Sequence, residues 1–503
     1  MPDRLPPARL PRALLPPARL SPARLSPVRL SPARLSQLPA GVARPTYDRT
    51  TLPVGVAHLG VGAFHRCHQA EYLDDLLQAG AAAAGMVGIN LYPPALTAQL
   101  GPQGGLYSRT LTDDADHETR VIGAILRVID APAQMAAALA ALADPQVTTV
   151  TLTVTEKGYC HIPATGALDH SHPGVIADLA GGAVPQTIPG LLARALAARA
   201  AAGAGPLNLI SCDNIPANGA ILARVVRAMA LPTLQGWIDD NVAFPATMVD
   251  RIVPATTPAA RDALALALGC RDEGAVFGEP FRQWVITDDF RAPRPAWEQA
   301  GAQIATDVEP YEHIKMRLLN AAQTMTALLG ALAGHQFTHQ AIRDPAIRGA
   351  VTRALRSETI PHLPSVPGME PAAYLARSLS RIENRAIHHE CRQIATDTSQ
   401  KIRQRLLEPI RARRAAGLAH DGLTGGVAAW IAWLACSGPA FAARWPVSDP
   451  VAGRVAGVLA RRGRDLRGIA ADVLGFADVF GDDLARDDGF AARVAVRAER
   501  LIG

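Results

Sequence analysis

The chain has 503 residues, 49% hydrophobic and 19% charged, which is enough to bury more than one core without a disulfide or metal staple. The formal net charge of +5 invites a polyanionic partner, but residues 1–44 hold eight arginines and one acid, a net +7, leaving −2 on 45–503. This speaks against a nucleic-acid-binding body, while six scattered cysteines without a CxxC, and no apolar run of ~18 residues, speak against a disulfide framework and a membrane span.

A reduced, cytoplasmic, monomeric or small homo-oligomeric protein is expected, with no secretory signal at its N-terminus. Only three of the 50 basic residues are lysines: Lys157, Lys315 and Lys401. A guanidinium stays protonated, so arginine cannot replace a lysine that must give up a proton. Each lysine is therefore a candidate for chemistry, or else a survivor on a solvated face.

Residues 6–36 repeat PPARL and SPARL at a five-residue period that fits neither a helix face nor strand alternation. Its prolines fix φ and remove donors, so residues 1–44 are expected to be a disordered Pro/Arg-rich tail. From Thr46 the chain alternates strand and helix. VGVAHLG (54–60) reads as a strand, HQAEYLDDLLQAG (68–80) as a helix, and GMVGINLY (85–92) as a second strand. QMAAALAALA (134–143) is helical and VTTVTLTVTEKGY (147–159) is a β-branched strand running into a loop. The helix IPGLLARALAARAAAG (188–203) then precedes the strand LNLISC (207–212) and the turn DNIPANG (213–219). The alternation predicts a doubly wound, mostly parallel sheet over 45–300. From 301 to 503 helix-period segments dominate, among them YEHIKMRLLNAAQTMTALLGALAGH (311–335), AIRGAVTRALRSETI ending at Ile360, and EPAAYLARSLSRI (370–382), so a mainly helical domain is expected.

Two segments carry chemistry. Gly60-Val61-Gly62-Ala63-Phe64-His65 ends the first strand and opens a helix. Glycines there let the backbone approach a pyrophosphate, or simply make a tight turn. Gly60, Gly62, Phe64, Arg66 and Asn90 are the candidate cofactor contacts. Asn90 and Tyr92 stand where an acid would bind a ribose, which leaves NAD and NADP both open. On the helix from 311, Asn320 and Gln323 fall roughly 140° and 80° from Lys315 at ~100° per residue. One broad face thus offers an amine and two amides, and a lysine desolvated beside Met316, Leu318 and Leu319 has the lowered pKa that a general base needs. A solvated helix face would show the same residues. The pairs His170/His172 and His335/His339 lack the rest of a metal motif, and no metal site is expected. His388-His389-Glu390-Cys391 reads as helix surface, and Asp213 as a residue that shapes the strand-end turn.

GVAHLGVGAFHRCHQAEYLDDLL (55–77), LTVTEKGY (152–159), SCDNIPANG (211–219), FPATMVDRIVPATTP (244–258), FRQWVITDDF (281–290) and YEHIKMRLLNAAQ (311–323) resemble, in order, the mannitol dehydrogenase family of polyol-specific long-chain dehydrogenases and reductases. The resemblance runs from about 43 to the C-terminal end. It implies an α/β fold, a Rossmann-type domain followed by a mainly α-helical one with the active site between them. It also implies metal-independent, NAD(P)-dependent interconversion of a sugar alcohol and a ketose. Lys315 then matches the catalytic base, Asn214 and Asn320 the oxyanion pocket, and Glu156 the acid that exchanges the proton with bulk water. Asp250, Gln323 and, more loosely, Lys401 match substrate contacts. Two departures stand out: Gln323 replaces a histidine, and Lys157 replaces the first glycine of the T-E-G-G-Y motif. A hexuronate reductase of the same family is the alternative substrate class, and a non-catalytic nucleotide-binding protein the alternative outside it.

Overall fold

The computed structural model describes residues 28–92, 96–114, 116–163, 165–441 and 447–502. The chain divides into two compact units, the first ending at Glu309 and the second starting at Pro310.

The first unit holds twelve strands among its described residues: β1 Val54–Leu59, β2 Gly85–Asn90, β3 Tyr107–Thr112, β4 His117–Ile122, β5 Ile125–Asp130, β6 Thr149–Leu152, β7 Leu207–Ser211, β8 Val242–Ala243, β9 Thr247–Asp250, β10 Val276–Gly278, β11 Gln283–Thr287 and β12 Gln303–Ala305. Six of them form one sheet in the order β5-β2-β1-β6-β7-β8, with every pairing parallel. Strand order reverses between β1 and β6, the first strands of the two halves, and an open α/β sheet binds ligands in the crevice beyond the C-terminal ends of such a pair. Val56, Ala57, Leu59, Val87, Ile89, Val150, Leu152, Leu209 and Ile210 are all buried, as expected of strands covered on both faces. The 147–159 segment is shorter as a strand than its β-branched run suggests: β6 stops at Leu152, and Thr155–Gly158 is a single helical turn.

Two three-stranded sheets, β10-β3-β4 and β12-β11-β9, complete the unit. The Glu71 carboxylate, on the helix Gln69–Gln78, ties them to the main body through Arg109 at 3.0 Å, Arg282 at 3.5 Å and Arg251. Burial pushes that carboxyl up, but the three guanidiniums outweigh it and hold it well below the usual range. The first compact unit runs past residue 300 to Glu309, because Trp297 packs with Trp284 and β12 pairs with β11.

Residues 28–44, expected as part of a disordered tail, are ordered. Leu30, Leu38 and Val42 lie in an apolar cluster with Val121, Leu264 and Leu268. Leu30 donates its N–H to Arg271 and Arg271 returns one to Val28, both at 2.8 Å, and Pro32–Gln37 forms a 3-10 helix. The five-residue repeat hides this, since what orders these leucines is a distant apolar surface. Residues 1–27 of the expected tail lie outside the described residues.

Every described element of the second unit is helical. Its centre is the helix Asp421–Cys436, buried from Gly426 through Cys436, as an all-round apolar helix must be. Ala321–Leu332, Pro345–Ala354 and Asp488–Ile502 contribute to the same core. His388–Glu390, expected on a helix surface, lie outside any helix: Glu390 bridges to Phe337 and directly precedes the helix Cys391–Ala395. No helix among the described residues is long and apolar enough to cross a membrane.

Candidate active site

In the first unit the chain leaves β1 at Gly60 with φ +87°, and a Cβ there would stand 2.2 Å from the Thr153 carbonyl oxygen. No other residue type fits. A Cβ at Gly62 would meet only the Gly60 oxygen at 3.8 Å, so open space fronts the turn. The turn is buttressed from behind. Thr153 Oγ1 donates to the Gly60 carbonyl at 2.7 Å, and His58 Nε2 meets Thr153 Oγ1 at 2.9 Å. The His58 ring also stacks on His65 at 3.3 Å between centroids. Burial pushes the His58 and His68 imidazoles down to about 3, and His65 well down as well.

These imidazoles are neutral when folded but protonate near 6.5 when unfolded, so the unfolded state gains protons as pH falls from 6.5 towards 3. Stability is therefore present above pH ~6.5 and declines below it, by up to ~1.4 kcal/mol per pH unit for each such histidine. A urea midpoint that falls between pH 7 and 5, and falls less in His58→Gln, is the expected result.

The C-terminal ends of β6 and β7 carry the next candidates. Glu156 sits in the turn Thr155–Gly158 and is half-buried, Lys157 beside it is exposed, and Asn214 follows β7 on the surface. Asp213 shapes this edge as expected, its carboxylate accepting from Val154 N–H at 2.9 Å and Thr155 N–H at 2.8 Å. Asp250 ends β9, buried, opposite Gln283 in register. Phe64 stacks on His68 at 5.0 Å. Arg66 is buried and donates to the carbonyls of Gly62, at 3.3 Å, and Gly274, which makes it a brace of the glycine turn. Asn90 ends β2 and donates Nδ2–H to the Tyr92 carbonyl at 2.5 Å. The acid beside it in register, Asp130, accepts from the N–H groups of Leu96 and Thr97 at 3.0 and 3.1 Å.

In the second unit the helix carrying Lys315 is not a straight α-helix. Glu309–Lys315 is α, Met316–Asn320 is a π turn, and Ala321–Leu332 is α again. The Ala321 N–H returns to the Met316 carbonyl, one residue farther than in an α-helix. The extra residue brings Asn320 round towards the Lys315 face, closer than the ~140° of a straight helix. Lys315 is 5% and Asn320 8% exposed, Gln323 is half-buried on the following turn, and Asn320 Oδ1 is buried without a hydrogen-bond partner among the described residues. This turn packs against two further π turns, Leu355–Thr359 and Arg403–Leu407. From the latter, buried Arg405 donates to Thr324 Oγ1 at 2.7 Å and to the Asn320 carbonyl at 3.5 Å, and burial pulls its guanidinium down to about 10. Lys401, one turn earlier, donates Nζ–H to the Thr396 carbonyl at 2.5 Å.

The second unit thus gathers Lys315, Asn320 and Gln323 on one helix. The first unit gathers Glu156 and Asn214 on one sheet edge, with the glycine turn at the end of β1. Sequence reasoning missed His58, Thr153 and Arg405. A histidine inside the apolar run VAHLG was a usable signal for the first, whereas Arg405 is one of 47 arginines with nothing to mark it.

Residues 54–299 match the mannitol dehydrogenase Rossmann domain and residues 307–502 the mannitol dehydrogenase C-terminal domain. D-mannonate oxidoreductase of Escherichia coli is 36% identical over 93% of this chain and 96% of its own. Mannitol 2-dehydrogenase of Cereibacter sphaeroides is 37% identical over 92% and 96%. Among solved structures, Pseudomonas fluorescens mannitol 2-dehydrogenase in a ternary complex with NAD and D-mannitol superposes with a TM-score of 0.86 at 33% identity, over 94% of this chain and 96% of that one. With both of the family's domains matched along nearly the whole described chain, this protein belongs to the mannitol dehydrogenase family of oxidoreductases.

Proposed function

We propose that this chain is an NAD-linked oxidoreductase that interconverts a sugar alcohol and the matching ketose, with Lys315 as general base. One observation carries the reading. An amine and an amide, Lys315 and Asn320, are both buried on adjoining turns of a π-distorted helix, and the amide oxygen lacks a partner among the described residues. A buried unpaired acceptor is costly unless a ligand donor meets it, and π turns recur at functional sites. A substrate hydroxyl is such a donor.

The Gly60–Gly62 turn suits a dinucleotide, since open space fronts Gly62 and a brace of Thr153, His58 and Arg66 holds the backbone. Gly60, Gly62, Phe64, Arg66 and Asn90 would hold it, and a bound nicotinamide supplies hydride exchange with the carbinol carbon. Neutral Lys315 takes the hydroxyl proton, burial favouring its uncharged form. Amide N–H donors of Asn320 and Asn214 hold the charge that develops on the oxygen. Glu156 passes the proton to bulk water, while Asp250, Gln323 and Lys401 contact substrate hydroxyls.

A hexuronate is the second reading. It is favoured by the D-mannonate oxidoreductase relative and by Lys157, an exposed cation next to Glu156 that suits a substrate carboxylate. Initial rates at 340 nm with D-fructose and D-fructuronate, each with NADH and NADPH, separate the two. Faster reduction of D-fructose with NADH is expected, faster reduction of D-fructuronate would select the second reading, and no oxidation of either cofactor would overturn both. Under the second reading, Lys157→Ala should raise the KM for D-fructuronate about tenfold and leave that for D-fructose unchanged, consistent with the ~1.4 kcal/mol of one charge-assisted contact.

A further inference from the structure

The C-terminal edge of β6 and β7 holds a hydrogen-bonded latch that none of the roles above uses. The buried Asp213 carboxylate accepts three bonds: from Val154 N–H at 2.9 Å, Thr155 N–H at 2.8 Å and Tyr159 Oη at 2.7 Å. The Tyr159 hydroxyl also meets Ser211 Oγ at 2.5 Å, so the end of β7 enters the same network. The latch closes over a strained turn. Thr155 has φ +64°, a region that β-branched residues shun, and it persists only where its surroundings fix it. The turn is also tight, since a Cβ at Gly158 would lie 2.9 Å from the Val154 side chain. On the other side, a Cβ at Gly60 would meet Thr153 and Val154, so the same segment walls the glycine turn.

Two candidate functional residues are chain neighbours of this network: Glu156 follows Thr155, and Asn214 follows Asp213. We propose that Asp213 is a positioning residue that locks the strained Thr155 turn and thereby fixes the spacing of Glu156 and Asn214. The inference rests on the roles given above to those two residues. Asp213 and Tyr159 act through them and need touch neither substrate nor cofactor. Asp213→Asn turns one of the two acceptor oxygens into an NH2 donor, which leaves a backbone N–H unpaired and lets Thr155 leave its left-handed conformation, moving Glu156 relative to Asn214. Chemistry then slows while the nucleotide still binds.

A double-mutant cycle in the full-length protein tests this, with NADH and whichever of D-fructose and D-fructuronate the wild type reduces faster. Glu156→Gln is expected to lower kcat about 10²-fold, as for a lost proton-transfer group. Asp213→Asn is expected to lower kcat about tenfold, with KM and the fluorescence-measured NADH affinity within twofold of wild type. In the double variant the Asp213→Asn loss should vanish into that of Glu156→Gln, because the placement of an acid no longer matters once the acid is gone. Tyr159→Phe removes one of the three donors without altering the carboxylate, so it serves if Asp213→Asn does not fold. It should show the same non-additivity with a kcat loss of about threefold. Independent, multiplying losses, or a loss confined to KM or NADH affinity, would overturn the latch and leave the role of Glu156 standing. Glu156→Gln at the wild-type rate would instead remove the role of Glu156, and the latch with it.

Discussion

Lys315→Ala is expected to bind NADH as tightly as the wild type and to turn over about 10²–10⁴-fold more slowly, the range typical of a removed general base. Lys315 lies in the second unit and the glycine turn in the first. The expected loss is in kcat, since a proton acceptor contributes chiefly to the transition state. Lys315→Arg should be nearly as slow as the alanine variant, because a guanidinium keeps its proton at neutral pH. That pair of results bears on the composition as well. In a chain where arginine has taken 47 of 50 basic positions, a lysine buried to 5% exposure is one whose charge alone does not explain it. An arginine variant with wild-type kcat would show that only the positive charge matters, and would sink the general-base role.

The glycine turn gives the second large effect, in two variants that should behave differently. Gly60→Ala must place a Cβ 2.2 Å from the Thr153 carbonyl at φ +87°, so the backbone has to move. The left-handed strain alone is worth about 1–3 kcal/mol, and the clash with a braced carbonyl adds to it. A lower melting temperature and at least tenfold weaker NADH binding are expected together. Gly62→Ala meets nothing nearer than 3.8 Å, so its melting temperature should stay within about 1 °C of wild type, as for an unstrained surface change. Its NADH affinity should still fall, because the added methyl group occupies the space through which a pyrophosphate approaches the backbone. Thermal melts and NADH fluorescence titrations on both variants check this. Unchanged NADH affinity in Gly62→Ala would place the nucleotide elsewhere.

What the sequence disclosed follows from which forces are local. The strands β1, β2, β6 and β7 are apolar or β-branched-rich runs, buried along most of their length, and such runs announce themselves. The pair β3–β4 did not, because YSRTLT buries Ser108, Arg109 and Thr110 against Asp272, Glu118 and Thr119, partners far along the chain or across a hairpin. The positions of Lys315, Asn320, Gln323, Glu156 and Asn214 were legible as motif residues, but their arrangement was not. An apolar periodicity cannot show the one extra residue that turns Met316–Asn320 into a π turn. Nor can it show that Thr155 is left-handed, which depends on a carboxylate some sixty residues later. The leucines of 28–44 repeat the lesson: their order depends on Leu264 and Leu268 and not on their own pentapeptide period.

The most direct test of the chemistry follows one hydrogen atom. With NAD and D-mannitol deuterated at both C2 and C5, which are equivalent by symmetry, or D-mannonate deuterated at C5 if that class is the better substrate, the wild type should form reduced nicotinamide carrying one deuterium at C4, as NMR would read it. Lys315→Ala should form it about 10²–10⁴-fold more slowly. Reduced nicotinamide free of deuterium, or label transfer at the wild-type rate without Lys315, would contradict hydride exchange at a carbinol carbon assisted by a lysine base.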